Sequence, residues 1–343
     1  MRKLLNTLYV TTPEAYLSRD GENVVVRIEQ QERFRIPVHN IEGIVCFGYM
    51  GASPALMGFC AEKGVAVSFL NEYGKFLARV TGPVTGNVLL RRKQYRVADN
   101  EEEASKLAIG FITGKIANCK TVLQRALRDH ASSINVKEIT HVVDTLTNQV
   151  LRLQKCADLD EVRGVEGEAA RTYFSVFNEM ILCQKESFYI YQRNRRPPLD
   201  NMNALLSFLY TLLVHDVESA LETVGLDPFV GFLHRDRPGR PGLALDLMEE
   251  LRPYLADRLA LSLVNRRQIT ADGFCIKESG GIVMDADTRK VVLTAWQKRK
   301  QEEITHPFLN EKIPIGLIPY AQAMLLARFL RGDLDGYPPF FWR

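Results

Sequence analysis

The sequence has no cysteine pattern. Its six cysteines (Cys46, Cys60, Cys119, Cys156, Cys183 and Cys275) include no pair in C-x-x-C spacing. That excludes a disulfide framework and a thiolate zinc site, and it fits a reducing cytoplasm. No run approaches the ~18 consecutive apolar residues of a membrane span. The opening MRKLLNTLYV has too short an apolar stretch for a secretory signal, so no membrane is expected as a partner. Internal repeats and low-complexity segments are also missing. Charge of one sign is not in excess: 44 Lys and Arg face 41 Asp and Glu, a net +3. That total argues neither for nor against nucleic acid. With 46% hydrophobic and 25% charged residues over 343 positions, the composition is globular, and at about 150 residues per domain it suggests two domains.

Several chemistries are excluded at the level of motif. The segment from Gly110 to Lys115 has a superficial likeness to a phosphate loop. Its glycine spacing is one residue short, and Ile116 stands where Ser or Thr would hold magnesium. No G-x-S-x-G elbow, H-E-x-x-H helix or G-x-G-x-x-G after a strand occurs. Nucleotide hydrolysis and nicotinamide chemistry are therefore not expected.

What is present falls into two periodicities. Residues 16–29 read as two strands around Asp20-Gly21, with Val24, Val25, Val26 and Ile28 supplying strand propensity. Short strand-like runs follow at 34–37, 41–47, 65–70 and 76–81, interrupted by a brief helix at 54–63. After Gly82-Pro83 and Gly86 the spacing becomes helical: 87–131, 133–155, 166–183, 200–225 with Asp200 as its cap, and 243–263 bent at Pro253. Residues 274–278 and 282–293 around Gly280-Gly281 read as a hairpin, and 295–303 and 320–330 as closing helices before the tail DGYPPFFWR. The expectation is an α+β chain. An N-terminal antiparallel β domain (1–86) precedes a larger all-α C-terminal domain (87–343) with a small β-hairpin insertion.

Four elements could carry chemistry. Glu166 lies between Gly164 and Gly167 in GVEGEAARTYF, just where the 166–183 helix is expected to start, so backbone could approach a ligand closely. Such an acid alone more often complements a helix N-terminus. Its neighbour Glu168 points away and has no site role. His234 lies in the Gly/Pro-rich basic loop GFLHRDRPGRPG, where a lone histidine is usually just solvated. Asp246 and Glu249, at i and i+3 in LALDLMEELRP, share one helix face. The usual outcome for such a pair is a solvated stripe. Together, however, acids in an apolar helix, a histidine twelve residues upstream and a glycine-flanked Glu make a coherent divalent-metal set, and oxygen plus imidazole suits Mn²⁺ or Mg²⁺ better than zinc or copper. The fourth element is clustered arginine. Arg193, Arg195 and Arg196 precede Pro197-Pro198, and Arg235, Arg237 and Arg240 follow His234. Guanidinium groups bind phosphate oxygens bidentately, and a metal beside them would act on a phosphodiester.

These residues resemble a known family over essentially the whole chain: the CRISPR-associated integrase of spacer acquisition (Cas-one), in the I-C subtype by length and order. The resemblance rests on Gly164 to Phe174, on RRPPLD from Arg195 to Asp200 with Asn203, Ala204, Leu206, Ser207 and Tyr210, on Gly231 to His234, and on LALDLME from Leu243 to Glu249 with Arg252-Pro253. It implies metal ligands at Glu166, His234 and Glu249, whose side chains should converge within coordination reach. Asp246 is implied as a further catalytic acid that supports the site or contacts DNA. Family members carry Asp or Glu as third ligand, and this chain has the longer one. The resemblance further implies a homodimer formed through the β domains and a bridging dimer of the second adaptation protein (Cas-two). The substrates it implies are double-stranded DNA, the protospacer and the CRISPR repeat. The implied reaction is a metal-assisted transesterification by a DNA 3′-hydroxyl; the arginine clusters themselves offer Arg196, Arg235, Arg237 and Arg240 as DNA contacts. The alternatives are a metal-dependent repair nuclease using water, and a non-catalytic DNA-binding scaffold.

Overall fold

The computed structural model describes residues 7–342 apart from 13, 42, 49, 72–75, 81, 83–87 and 195–196. The chain forms two compact units. One comprises Met1–Thr85, Met284–Glu302 and Pro314–Gly316, and the other Gly86–Val283, Glu303–Ile313 and Leu317–Arg343. The segment 284–302, expected in the second domain, thus clusters with the first.

The first unit contains β1 (Thr7–Val10), β2 (Tyr16–Asp20), β3 (Asn23–Ile28), β4 (Gln31–Pro37), β5 (Gly43–Phe47), β6 (Gly51–Ala52), α1 (Pro54–Glu62), β7 (Ala66–Leu70) and β8 (Phe76–Val80). They form two four-stranded sheets, ordered β1-β5-β7-β8 and β4-β3-β2-β6. The hairpin at Asp20-Gly21 is present: Asp20 pairs with Asn23, and Gly21 takes the positive φ (58°) that the tight turn needs. The expected antiparallel arrangement is corrected to a mixed one, because β1–β5, β5–β7 and β2–β6 are parallel. The cause is connectivity. Helix α1, capped by Ser53 and opened by Pro54 at its first position, carries the chain from β5 back to β7 in the same direction. Leu17, Val24, Ile44, Leu56 and Val67 are fully buried in the core of this unit.

The second unit is helical: α2 (Val88–Asp99), α3 (Glu101–His130), α4 (Val136–Leu153), α5 (Leu159–Ser175), α6 (Lys185–Phe188), α7 (Asn201–Val224), α8 (Gly242–Glu249) and α9 (Arg258–Asn265). The two-stranded sheet of β9 (Phe274–Ile276) and β10 (Ile282–Met284) leads to α10 (Ala286–Gln301) of the first unit. A second two-stranded sheet, β11 (Glu303–Thr305) with β12 (Lys312–Pro314), precedes α11 (Ile318–Arg331). Caps are read from side chains. Asn100, Asp158 and Asp200 each accept the N–H three residues on, at 3.1, 2.8 and 2.7 Å, and Gly225 closes α7 in the left-handed region. Helix α7 is long and apolar enough to pass as a membrane span, but 67% of that window is buried inside the protein. It packs on α8 and α11 as a core helix.

Three element expectations are corrected. The strand expected at 282–293 ends at Met284, because Asp285 caps a helix through Thr288 N at 2.7 Å. The helix expected to begin at Glu166 begins at Leu159, placing that acid two turns inside it. The 243–263 helix is broken rather than bent: α8 stops at Glu249, Pro253–Asp257 forms one π-helical turn, and α9 resumes at Arg258.

Candidate metal centre

Helix α8 and its C-cap carry three acids that are all buried: Asp246 and the cap Glu250 are 0% exposed and Glu249 is 2% exposed. The solvated-stripe reading is thereby excluded, and each carboxylate needs a partner. Asp246 turns toward the 231–234 loop. Its Oδ2 accepts the backbone N–H of Phe232 (2.6 Å) and Leu233 (2.9 Å), and its Oδ1 accepts that of His234 (3.0 Å). Two glycines permit this. A Cβ on Gly231 would sit 2.8 Å from Asp246 Oδ2, and one on Gly242 would sit 2.8 Å from the Phe229 carbonyl oxygen.

The same carboxylate fixes His234. Its Nδ1 lies 2.6 Å from Asp246 Oδ1. A carboxylate already taking three N–H groups acts as acceptor, so Nδ1 donates to it and Nε2 is the ring nitrogen left to meet a ligand. The side chain is only 18% exposed, unlike a solvated loop histidine. Arg163 of α5 anchors the loop from the other side. Its guanidinium donates twice to the Leu233 carbonyl oxygen (2.9 and 2.7 Å) while pairing with Asp160. The helix that bears Glu166 and the loop that bears His234 are therefore tied together one residue from the imidazole.

Glu166 and Glu249 meet on one cation, which is Lys115 of α3. Its Nζ contacts Glu166 Oε1 and lies 2.7 Å from Glu249 Oε2. Arg252 holds the other oxygen of Glu249 at 2.7 Å and lies over the Tyr210 ring. Lys115 and Arg252 are 7% and 6% exposed. Burial pushes the Glu249 carboxyl up, but Arg252, Lys115 and His234 outweigh it and hold the group down to about 2. Burial likewise pulls the Lys115 ammonium down, and the Glu249 and Glu166 charges more than restore it, so its pKa lies above the ordinary lysine value.

Lys115 was in view in the sequence only as the end of a failed phosphate loop. The signal that finds it is its place in the buried stripe Phe111, Ile112, Lys115, Ile116 and Cys119. A lysine on such a face requires acidic partners.

The placement of the remaining expected residues is mixed. Gly164 and Gly167 lie inside α5, and a Cβ on either would meet nothing within 4 Å. They leave open space beside Glu166 rather than a close approach of backbone. Asp246 is too buried to contact DNA, and its contacts are those of a positioning residue. Glu168 pairs with Arg152 outside the site. Arg235 is exposed and pairs with Asp160 at 2.9 Å. Arg237 is exposed and Arg240 half-buried on the same loop, whereas Arg195 and Arg196 lie outside the described residues.

Among the described residues, no three His, Cys, Asp or Glu side chains form a group that could hold a metal ion; the cation between the two glutamates is an ammonium. Of the three donors that the resemblance implies, Glu166 and Glu249 come together on that ammonium, while His234 stays on the adjoining loop held by Asp246, so the expected convergence of all three is not met as the side chains stand. One feature favours a cation between the glutamates: Glu249 is buried, and a positive group already stands 2.7 Å from its Oε2.

The family described as "CRISPR associated protein Cas1" matches residues 8–298. "CRISPR-associated endonuclease Cas1 1" of Chlorobaculum tepidum is 54% identical over 343 residues, covering all of both chains. Among solved structures, a casposase bound to integration product superposes with a TM-score of 0.85 at 20% identity, over 98% of this chain and 94% of that one. A Cas6-RT-Cas1–Cas2 complex gives 0.82 at 23% identity, over 98% of this chain and 36% of that one. At these identities the two structures are likenesses of fold.

Proposed function

The chain belongs to the Cas1 family of CRISPR-associated endonucleases, and from that premise we propose that it is the metal-dependent integrase of CRISPR adaptation, of the I-C subtype. It joins the 3′-hydroxyl ends of short foreign double-stranded DNA to the CRISPR repeat. The observation that carries the reading is the convergence of Glu166 and Glu249 on one buried cation, on a body whose adjoining loop presents an imidazole held through its Nδ1 by Asp246.

In this reading Glu166, Glu249 and His234 hold Mn²⁺ or Mg²⁺, a choice that follows from two hard carboxylates and one imidazole. The bound ion supplies Lewis acidity to the scissile phosphate and lowers the pKa of the attacking hydroxyl. The chain's own groups do the remainder. Asp246 keeps His234 in one tautomer, and Arg252 keeps Glu249 ionised. Lys115 offers a positive charge next to the phosphate, and Arg235, Arg237 and Arg240 steer the DNA backbone. The DNA 3′-hydroxyl gives up its proton to solvent and its oxygen bonds to phosphorus, as the 3′-oxygen of the target strand leaves with the electron pair and takes up a proton from water. One phosphodiester replaces another, and no nucleoside triphosphate is needed. The β-rich unit is assigned to homodimerisation and the assembly to a bridging Cas2 dimer, in keeping with the Cas1–Cas2 complex that shares the fold.

The test is strand transfer of a short duplex into a repeat-bearing plasmid with Mn²⁺. Glu166→Ala should abolish joining, and a donor with dideoxy 3′ ends should be nicked around but never joined. Joining by Glu166→Ala overturns the site. Joining with dideoxy ends overturns the mechanism, and nicking alone with intact ends returns the chain to a repair nuclease.

A further inference from the structure

The charges around Glu249 already cancel without any metal. Glu166 and Glu249 contribute two negative charges, and Lys115 and Arg252, both buried, contribute two positive ones. Asp246 is occupied by four N–H groups and faces the loop. A divalent ion placed between the two glutamates would add two positive charges to these four groups in a setting of low dielectric, which is costly unless something leaves or an anion arrives.

The two cations differ in how easily they can leave. Arg252 sits three residues from Glu249, bonds the oxygen turned away from Lys115, and has the Tyr210 ring 5.0 Å from its guanidinium carbon. Lys115 is a point charge on a flexible stem. It bridges both glutamates through its single ammonium, with Glu249 Oε2 at 2.7 Å. It is the group that stands where the ion would bind.

We propose that Lys115 is a resident counter-cation that must be displaced from between Glu166 and Glu249 for the divalent ion to load, so that metal and DNA phosphate bind together rather than in turn. The inference rests on the ligand reading above. The displaced ammonium and the incoming ion find their compensating charge in successive phosphodiesters of the DNA, one negative charge each. Linkage then requires that DNA raise metal affinity by the same factor as metal raises DNA affinity. The device keeps the protein's nuclease centre unloaded until substrate is present.

The experiment measures Mn²⁺ affinity by electron paramagnetic resonance of the free ion, on full-length protein with and without a short blunt duplex. Wild type should bind Mn²⁺ weakly alone and about tenfold or more tightly with the duplex. Lys115→Gln should bind Mn²⁺ about tenfold more tightly than wild type without DNA, with most of the DNA dependence gone. Lys115→Arg, which keeps the charge, should stay weak. Unchanged or weaker Mn²⁺ binding by Lys115→Gln overturns the proposal. If that variant fails to fold, DNA-independent Mn²⁺ affinity of the wild type overturns it alone. Glu249→Gln separates the two readings. If it binds Mn²⁺ as wild type does, the ligand assignment falls; if it loses Mn²⁺ while Lys115→Gln behaves as wild type, only the counter-cation falls.

Discussion

His234 Nδ1 and Asp246 Oδ1 lie 2.6 Å apart, and the same carboxylate takes the backbone N–H groups of Phe232, Leu233 and His234. One buried acid therefore sets both the loop path and the imidazole tautomer. Asp246→Asn places an amide NH₂ against at least one of these donors. Cleavage should fall about 10–100-fold, the usual cost of losing an outer partner of a ligating histidine, and the chain should lose about 1–3 kcal/mol of stability from unpaired buried N–H groups. His234→Ala should lose activity with a much smaller change in the urea midpoint. Equal destabilisation of the two variants would mean that the dyad is merely structural.

Arg252 and Glu249 form a buried pair at 2.7 Å. Truncating one partner leaves the other charge uncompensated, so Arg252→Met should destabilise by about 3–5 kcal/mol. Neutralising both with Arg252→Met/Glu249→Gln should recover most of that loss, although activity stays absent. A double variant no more stable than the single one would show that the guanidinium acts through its packing on Tyr210 instead.

The sequence disclosed element types better than pairing. The Asp20-Gly21 turn and the Asp200 and Gly225 caps are local chemistry and could be read directly. Strand sense could not, since the direction of β5 relative to β7 depends on the intervening α1. At the site, i, i+3 spacing put Asp246 and Glu249 on one face but could not tell that the face is buried, nor that the two acids turn to different partners. The start of α5 lies earlier than the glycines beside Glu166 suggest, because Asp158 with Glu161 three residues on supplies the cap. In the structure Asp158 accepts Glu161 N, and Glu161 reaches back to Ala157 N at 2.8 Å. Lys115 went unread because its carboxylate partners are 51 and 134 residues away in the chain.

Asp257 supplies a pH dependence. Burial pushes its carboxyl from 3.8 to about 6, against the Tyr210 hydroxyl that donates to it at 2.6 Å and the Arg193 and Arg252 charges. Between these two values the folded chain keeps a proton that the unfolded chain has lost. Its contribution to stability is therefore complete below 3.8 and disappears as pH rises through 6. Glu249, held down to about 2, acts oppositely but only below its unfolded value near 4.5, outside this window. In EDTA, wild type should gain about 1 kcal/mol on Asp257→Asn as the pH falls from 7.5 to 5. Parallel urea midpoints at the two pH values would refute the assignment.

The tail after α11 is part of the core that carries Glu249. Glu250, the next residue, accepts the Tyr337 hydroxyl (2.6 Å), Gln322 Nε2 (2.8 Å) and Phe340 N (3.0 Å). Asn118 of α3 bonds the Glu250 carbonyl oxygen, the Phe340 carbonyl oxygen and Trp342 N at 2.7–2.8 Å, and Arg125 and Arg258 lie over the Trp342 ring. Helix α3 approaches this junction so closely at Gly114 that a Cβ would stand 2.9 Å from Glu250 Cβ and 3.1 Å from Pro339. Gly114→Ala should therefore destabilise by about 1–3 kcal/mol through overpacking, although glycine to alanine inside a helix ordinarily gains about 1 kcal/mol. Removing residues 337–343 should lower the melting temperature further and reduce cleavage with it, because Glu250 and Asn118 are left buried without their partners. An unchanged melting temperature in the truncated chain would show that the tail rests on the surface of the helices and holds nothing in place.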